Sequence, residues 1–281
     1  VFGSTRNIVA TSAGVNSGSA SGIRAVIERA PLGHEIGEPD LSGGHRVQGF
    51  GDHRRATAAT APLMATPLHR AELLDDRSLT GRAFCDAYSG VMDDWLQALW
   101  TDAVADLPGA GAGMALVAVG GQGRRELCPQ SDLDLLLLTA KGVDATQVAD
   151  GLWYPIWDEG VKLGHAVRSL RDTLALAADD LETATALLAA RHVAGDEDLT
   201  SELAEKARLK WQRKGRKRLE ELAASREQRH RDHGEVAFDL EPNLKEARGG
   251  LRDVHALGWA RAAGADVDQR SIAALQTDHD E

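Results

Sequence analysis

Two short apolar runs, separated by a glycine-rich polar stretch, constrain the fold of this chain more than any other feature. Residues 114–119 and Leu133–Thr139 each have the length of a buried strand, and the stretch between them begins with Gly120 and Gly121. Their length and the flanking glycines favour strands over buried helices. The sequence therefore predicts a strand, a glycine-rich turn and a second, leucine-rich strand.

Helical patterns flank these runs on both sides. Apolar residues recur at helical spacing from Leu68 to Trp100, and a third strand is predicted at 161–168, where alternation puts His165 on the apolar face. The order predicts an α+β fold, with a small mixed sheet and helices followed by a helical region. Further helices are predicted at 144–157, 170–178, 181–193, about 199–230 and 251–262.

Composition excludes several classes of protein. A chain of 281 residues with 43% hydrophobic content can form one large or two modest domains. A net charge of −11 argues against a general nucleic-acid binder. Cys85 and Cys128 lie far apart and outside any CxxC spacing, so neither a disulfide framework nor a zinc site is predicted. No run reaches the roughly 20 apolar residues of a membrane helix, and no secretory signal is visible. We expect a cytoplasmic protein without a membrane partner.

Four segments are predicted. Residues 1–62 are rich in Gly, Ser, Ala, Arg and His, which predicts a disordered leader. The alternative is that the start site was assigned too early and this stretch is seldom made. Residues 63–110 are expected to form N-terminal helices, 111–196 a catalytic core, and 197–281 a helical region with a second loop.

The glycine-rich stretch has the residues needed to bind phosphates. Glycines after a strand permit positive φ and a close approach of the backbone to an anion, as Gly120, Gly121 and Gly123 would. Ser131 adds a hydroxyl donor, and the guanidinium of Arg124 suits a phosphate or, equally, a salt bridge to a neighbouring carboxylate.

Asp132 and Asp134 carry the predicted chemistry. Residues two apart on a strand point to the same face, with Cα atoms about 6–7 Å apart, and carboxylates are suitable ligands for Mg²⁺. Asp-x-Asp alone is common in turns, and a glycine pair is usually only a turn. Together, within about twenty residues and before an apolar strand, they predict a metal-dependent nucleotidyltransferase with both aspartates as catalytic metal ligands.

These motifs resemble the DNA polymerase β-like nucleotidyltransferases, and within that superfamily the bacterial uridylyltransferases that modify the PII nitrogen-signalling protein. The likeness extends from about residue 70 to the C-terminus. Full-length members of the family continue with a His-Asp phosphohydrolase domain and two ACT domains, which we do not expect within these 281 residues. The matching segments are 120–134, 164–168 (GHAVR), 180–185 (DLETAT), 191–196, 240–245 (LEPNLK) and 249–253 (GGLRD).

The resemblance implies a polymerase β-like core and transfer of UMP from UTP, with Mg²⁺, to a tyrosine of PII. It also implies that Lys245 and Arg252 carry charges near the triphosphate or the acceptor. Some relatives look like adenylyltransferases, so ATP is the alternative nucleotide. If the chain were whole, uridylyl removal and glutamine sensing would be absent.

Several residues have more than one interpretation. Arg168 could bind phosphate but is slightly better explained as structural, and His165 is expected to be a core histidine. Asp180 suits a helix N-cap better than a third catalytic carboxylate, which the strand at 161–168 does not supply. The basic run 206–218 is expected to be a solvated helix face or, failing that, a docking surface.

Two other functions remain open on the residues alone. A transferase of the same superfamily could act on a small molecule or an RNA. A regulatory module could bind nucleotide without turnover, and the missing third carboxylate keeps that alternative open.

Overall fold

The computed structural model describes residues 67–107, 109 and 111–268. The predicted leader, residues 1–62, lies outside the described residues, as does the C-terminal end of the predicted helical region. Among the described helices, none is both long and apolar enough to cross a membrane.

A four-stranded mixed sheet lies at the centre, and its strands are β1 (Met114–Ala118), β2 (Leu133–Thr139), β3 (Leu163–Ser169) and β4 (Arg191–Gly195). The order is β3-β2-β1-β4. β1 is antiparallel to both β2 and β4, whereas β2 and β3 are parallel. The predicted strand–turn–strand unit and third strand are confirmed, and so is the α+β class with a small mixed sheet.

Nine helices are described around this sheet. Before it lie α1 (Ala71–Asp75) and α2 (Gly81–Val104), and the glycine turn itself forms one helical turn, α3 (Gly120–Gly123). The remaining helices are α4 (Thr146–Asp158), α5 (Leu170–Asp179), α6 (Leu181–Leu187), α7 (Glu197–Arg213), α8 (Gly215–His233) and α9 (Leu251–Ala262).

Both faces of the two central strands are buried, which explains their continuous apolar sequence. On one face Leu116, Leu135 and Leu137 pack in a cluster with residues of α2 and α4. On the other face Val117 and Leu136 pack in a second cluster with residues of α5, α6, α7 and α8. Because side chains alternate along a strand, even-numbered positions of β2 face the second layer, and Asp134 begins that series.

Two predicted helices have different boundaries in the structure. The helix expected at 181–193 ends at Leu187, and residues 191–195 form β4, because the edge of β1 is available for pairing and Val193 is buried there. The helix expected at about 199–230 is divided between α7 and α8 at Lys214. A Cβ on Gly215 would lie 2.3 Å from the carbonyl oxygen of Ala263, so this junction fits closely against the end of α9.

The basic run 206–218 has a structural role that neither sequence interpretation anticipated. Lys210 donates to the carbonyl oxygen of Leu174, Lys214 to Ala178, and Arg218 to Ala177 and Ala178. These carbonyls belong to the last turns of α5, where cations are favourable. Three cations at helical spacing therefore cap α5 from α7 and α8.

Asp180 is a helix N-cap, as predicted, because its carboxylate accepts from the Thr183 amide at 2.7 Å.

His165 is not a core residue. It lies exposed on the edge strand β3, where its ring contacts Trp153 and Trp157 with centroid distances of 5.3 and 5.4 Å. Its strand face was predicted correctly, but β3 is an edge strand, which has a partner on one side only among the described strands.

Candidate active site

Asp132 and Asp134 lie at the start of β2. Asp132 is exposed and directly precedes the strand, whereas Asp134 is half-buried and faces Gly164 of β3 in the parallel register. The carbonyl oxygen of Asp134 accepts from the Val119 amide at 3.1 Å, immediately before α3. The aspartates therefore stand where the glycine turn leaves the sheet.

Two glycines make room for the carboxylate of Asp134. A Cβ on Gly120 would lie 2.8 Å from Oδ2, and a Cβ on Gly164 would lie 2.4 Å from Oδ1. Gly120 also has a φ of 56°, which favours glycine. The carboxylate is thus confined between two neighbouring backbones, and a side chain at either glycine would displace it.

The surroundings disfavour a charge on Asp134. Burial raises the pKa of this carboxyl, and the negative charges of Asp132 and Glu182 raise it further. Lys245 and Arg124 act in the opposite direction. The structure therefore brings Asp132, Lys245 and Arg124 into electrostatic range of Asp134, together with Glu182, which the sequence did not single out.

We call Asp132, Asp134 and Glu182 the acidic edge. No ion pair to any of them occurs within the described residues, and no group of three or more potential metal-ligating side chains is found there. Carboxylate oxygens next to each other, one of them desolvated, have the chemistry that favours a hard divalent cation. The two aspartates fit such a cation. Glu182 lies in the first turn of α6, near enough for its charge to act on Asp134.

The remaining predicted loop residues have separate local roles. A Cβ on Gly123 would lie 2.1 Å from the carbonyl oxygen of Ala189, so a glycine is needed here for the close approach of these two backbones. A Cβ on Gly121 would meet nothing within 4 Å. The Ser131 hydroxyl accepts from the Cys128 amide at 3.2 Å and keeps its own proton available for donation.

The predicted cations differ in how far they are paired. Arg124 forms an ion pair with Glu126 at 2.6 Å, and Arg252 pairs with Glu246 at 3.1 Å. Lys245 is exposed and forms no ion pair within the described residues. Of the three, Lys245 is the cation most accessible to a ligand at the acidic edge. Arg168 lies four positions beyond Gly164 along β3 and does not join the site.

A second set of charges fixes the glycine turn to α2. We call Asp93, Gln122, Arg125 and Arg191 the loop anchor. Asp93 is 7% exposed and accepts from both terminal nitrogens of Arg191, each at 2.9 Å, from Arg125 at 3.0 Å and from Gln122 at 2.7 Å. Sequence reasoning missed this network, although a buried-face aspartate beside Met92 in an apolar helix was a usable signal.

Arg125 adopts a left-handed backbone with a φ of 58°, which costs a non-glycine residue energy. Its side chain compensates by binding the carbonyl oxygen of Asp86 at 2.8 Å as well as Asp93. The loop anchor therefore holds the turn in a conformation that its sequence alone would not adopt.

Glu126 connects the same loop to the C-terminal layer. It contacts His255 of α9 at 2.9 Å besides Arg124. Burial acts to raise the pKa of Glu126, but hydrogen bonds and charges from His255 and Arg124 outweigh it and lower the pKa to about 2. Burial lowers the pKa of His255, although Glu126 opposes this. α9 is thereby tied to the loop of the site.

Sequence comparison shows which known proteins the chain is similar to. The family model described as GlnD PII-uridylyltransferase matches residues 217–277. The bifunctional uridylyltransferase/uridylyl-removing enzyme of Streptomyces coelicolor is 42% identical over 207 residues, covering 73% of this chain and 24% of that protein. By sequence, the chain is a relative of the bacterial PII uridylyltransferases.

Two further relatives of the chain are also bifunctional uridylyltransferase/uridylyl-removing enzymes. That of Mycobacterium tuberculosis is 45% identical over 163 residues, covering 57% of this chain and 20% of its own length. That of a Bradyrhizobium species is 37% identical over 201 residues, covering 68% and 21%. The chain thus spans about a quarter or less of the relatives it matches. A crystal structure of a toxin–antitoxin with AMP-PNP covers 46% of this chain at a TM-score of 0.31 and 13% identity, a likeness too low to carry an argument.

Proposed function

We propose that the chain transfers UMP from UTP to a PII-type signalling protein and releases pyrophosphate. The observation that carries the proposal is the acidic edge, where Asp134 is held between Gly120 and Gly164 beside Asp132, with no cation paired to either among the described residues. Identity of 42% to a uridylyltransferase over 207 residues supports the choice of reaction.

In this proposal Asp132 and Asp134 are the catalytic residues and hold Mg²⁺. Magnesium bound there would neutralise the triphosphate and the departing pyrophosphate. The acceptor hydroxyl oxygen forms a bond to the α-phosphorus while the bond to pyrophosphate breaks, and the hydroxyl proton passes to solvent. The two carboxylates would orient the reacting groups because Asp134 lies on β2, which is buried and rigid, and Asp132 directly precedes it.

The other proposed nucleotide-binding residues are Gly120, Gly121, Gly123, Arg124, Ser131, Lys245 and Arg252. Amides at the start of α3 have no acceptor within that single turn and can donate to phosphate oxygens. Of the cations that lower the pKa of Asp134, Lys245 has the largest effect, which suits a contact with the triphosphate. Arg124 and Arg252 would first have to share or leave their carboxylate partners.

Residues 111–196 form the proposed catalytic core, and the helical region from 197 supplies Lys245 and the layer behind it. A nucleoside triphosphate and a PII acceptor place the proposed reaction in the cytoplasm. Neither a membrane nor a nucleic acid takes part in it.

Intact-mass analysis of a PII protein tests the proposal. PII is incubated with the chain, Mg²⁺ and either UTP or ATP, and the added mass identifies the nucleotide. We expect one uridylyl group per acceptor site with UTP and none when EDTA replaces Mg²⁺. If PII gains an adenylyl group with ATP and nothing with UTP, ATP is the nucleotide substrate in place of UTP. An unmodified PII with both nucleotides would overturn the proposal and favour a binding module without turnover.

A further inference from the structure

The chain has two cysteines, and both contact each other beside the proposed site. Cys85 lies on α2 and Cys128 on the loop that leads to Asp132, and their Sγ atoms are 3.8 Å apart. They are 43 residues apart in sequence, so only the fold brings them together. A disulfide requires the two sulfurs to approach by about a further 2 Å, which side-chain rotation together with a small movement of the Cys128 loop toward α2 would supply.

The two segments are held together on both sides of the thiols. Arg82, one turn before Cys85, donates to the carbonyl oxygen of Arg124 at 3.3 Å. Arg125 donates to the carbonyl oxygen of Asp86, the residue after Cys85, at 2.8 Å. These contacts keep the two thiols side by side, so closing the disulfide does not require the backbones to find each other.

The environments of the two thiols differ, and this difference decides which cysteine reacts first. Cys128 is exposed, whereas Cys85 is half-buried. Burial and the neighbouring Cys128 raise the pKa of Cys85 to about 11, so this thiol stays protonated at neutral pH. The exposed cysteine is therefore the one that a dissolved oxidant reaches first.

We propose that Cys85 and Cys128 are a modification site that a peroxide converts to an intramolecular disulfide. The Cys128 thiol releases its proton to solvent, its sulfur attacks one peroxide oxygen, and the O–O bond breaks to give a sulfenic acid and hydroxide, which takes up a proton from solvent to become water. The Cys85 sulfur then attacks the Cys128 sulfur, the S–O bond breaks, and the leaving hydroxide takes the Cys85 proton as a second water. Two thiols are oxidised by two electrons and the peroxide is reduced to two waters.

The disulfide acts on the turn that ends directly before Asp132. Ser131 donates its amide to the carbonyl oxygen of Cys128 at 2.9 Å, and its hydroxyl accepts from the Cys128 amide. Drawing Cys128 toward α2 strains this turn and shifts Asp132 relative to Asp134. A displacement of about 1 Å at a reacting centre costs about 10²-fold in rate, so we expect at least about 10-fold slower transfer after oxidation. This effect on rate rests on the proposed function, whereas disulfide formation does not.

The experiment oxidises the reduced full chain with equimolar hydrogen peroxide. We expect the titratable thiols to fall from two to none, the intact mass to drop by two hydrogen atoms, and a peptide map to join the two cysteines. Dithiothreitol should reverse all three changes. Retention of both thiols, addition of oxygen atoms to a single cysteine, or a cross-linked dimer would overturn the proposal.

Cys85→Ser is the matched control, because it keeps the exposed Cys128 and removes only its partner. This variant should transfer UMP at the rate of the reduced wild type. After treatment with peroxide it should not show the slowing that dithiothreitol reverses in the wild type. The wild type alone should show the mass loss and the reversible slowing.

If the reduced wild type transfers nothing, the proposed function fails, yet the thiol and mass measurements still decide whether the disulfide forms. If the disulfide forms and the rate is unchanged, the proposed effect on the site is wrong.

Discussion

The glycine turn has an aspartate on each side, and the two differ in whether cations and hydrogen-bond donors surround them. On the side facing α2, Asp93 receives hydrogen bonds from Arg125, Arg191 and Gln122. On the side facing β3, Asp134 is crowded by two glycines, has a raised pKa and forms no ion pair within the described residues.

The difference separates charges that hold the structure together from those that we propose to be functional. A buried carboxylate that is fully paired stabilises its surroundings only as long as every partner remains. A desolvated carboxylate left beside another carboxylate costs stability and is explained by a ligand that supplies the missing positive charge. The loop anchor therefore fixes the turn, and the acidic edge is available for chemistry.

The largest effect is expected for Asp134→Asn. We expect transfer to PII to fall at least about 10³-fold, because the amide cannot replace a carboxylate as a metal ligand. Thermal stability should stay the same or rise, since a desolvated charge beside Asp132 is removed. Rate measurement and calorimetry check this, with exposed Asp150→Asn as the control. Transfer at the wild-type rate would place the chemistry elsewhere.

Asp93→Asn tests the other side of the comparison. Loss of the shared carboxylate leaves Arg125 and Arg191 without their buried partner, and we expect the free energy of unfolding to fall by about 3 kcal/mol. Urea unfolding measures this. The neighbouring Asp94 is exposed, so Asp94→Asn is a matched control that should change stability by less than about 0.5 kcal/mol. Equal stabilities of the two variants would contradict the structural role of the loop anchor.

Gly164→Ala moves the carboxylate of Asp134 without changing its charge. The added Cβ would lie 2.4 Å from Oδ1, and we expect transfer to slow about 10²-fold as the carboxylate is displaced. Gly258→Ala on α9 is the control, because its Cβ would meet nothing within 4 Å and should stabilise the helix by about 1 kcal/mol. An unaffected rate in Gly164→Ala would show that the position of Asp134 is not critical.

The smallest effect is expected for Glu126→Gln and depends on pH. The pKa of Glu126 is lowered to about 2 in the folded chain, so its stabilisation is present above the ordinary value of 4.5 and is lost as the pH falls toward 2. With allowance for solvent screening, we expect the variant to be about 1–2 kcal/mol less stable at pH 7. Urea unfolding at several pH values should show the difference shrinking below pH 4.5. A constant difference across this range would mean that the charge of Glu126 is not responsible.

Much of the local structure follows from short-range patterns. The apolar runs predicted β1 and β2, and α9 begins and ends where predicted, at Leu251 and Ala262. The errors came from elements whose state depends on distant partners. Residues 191–195 have a helix-compatible sequence and become β4 only because β1 has an edge to pair. His165 was assigned to the core because a strand face does not reveal whether the strand is central or at an edge.

The sequence by itself determined the motif that carries Asp132 and Asp134, the strand that presents them and the family to which the chain is related, because these depend on residues close together along the chain. Only the tertiary structure decided that Lys245 and Glu182 approach those aspartates, that Asp93 holds the turn, and that Cys85 meets Cys128. Such contacts join residues far apart in sequence, and no local propensity encodes them. They arise when the sheet order β3-β2-β1-β4 and the packed helices set the distances.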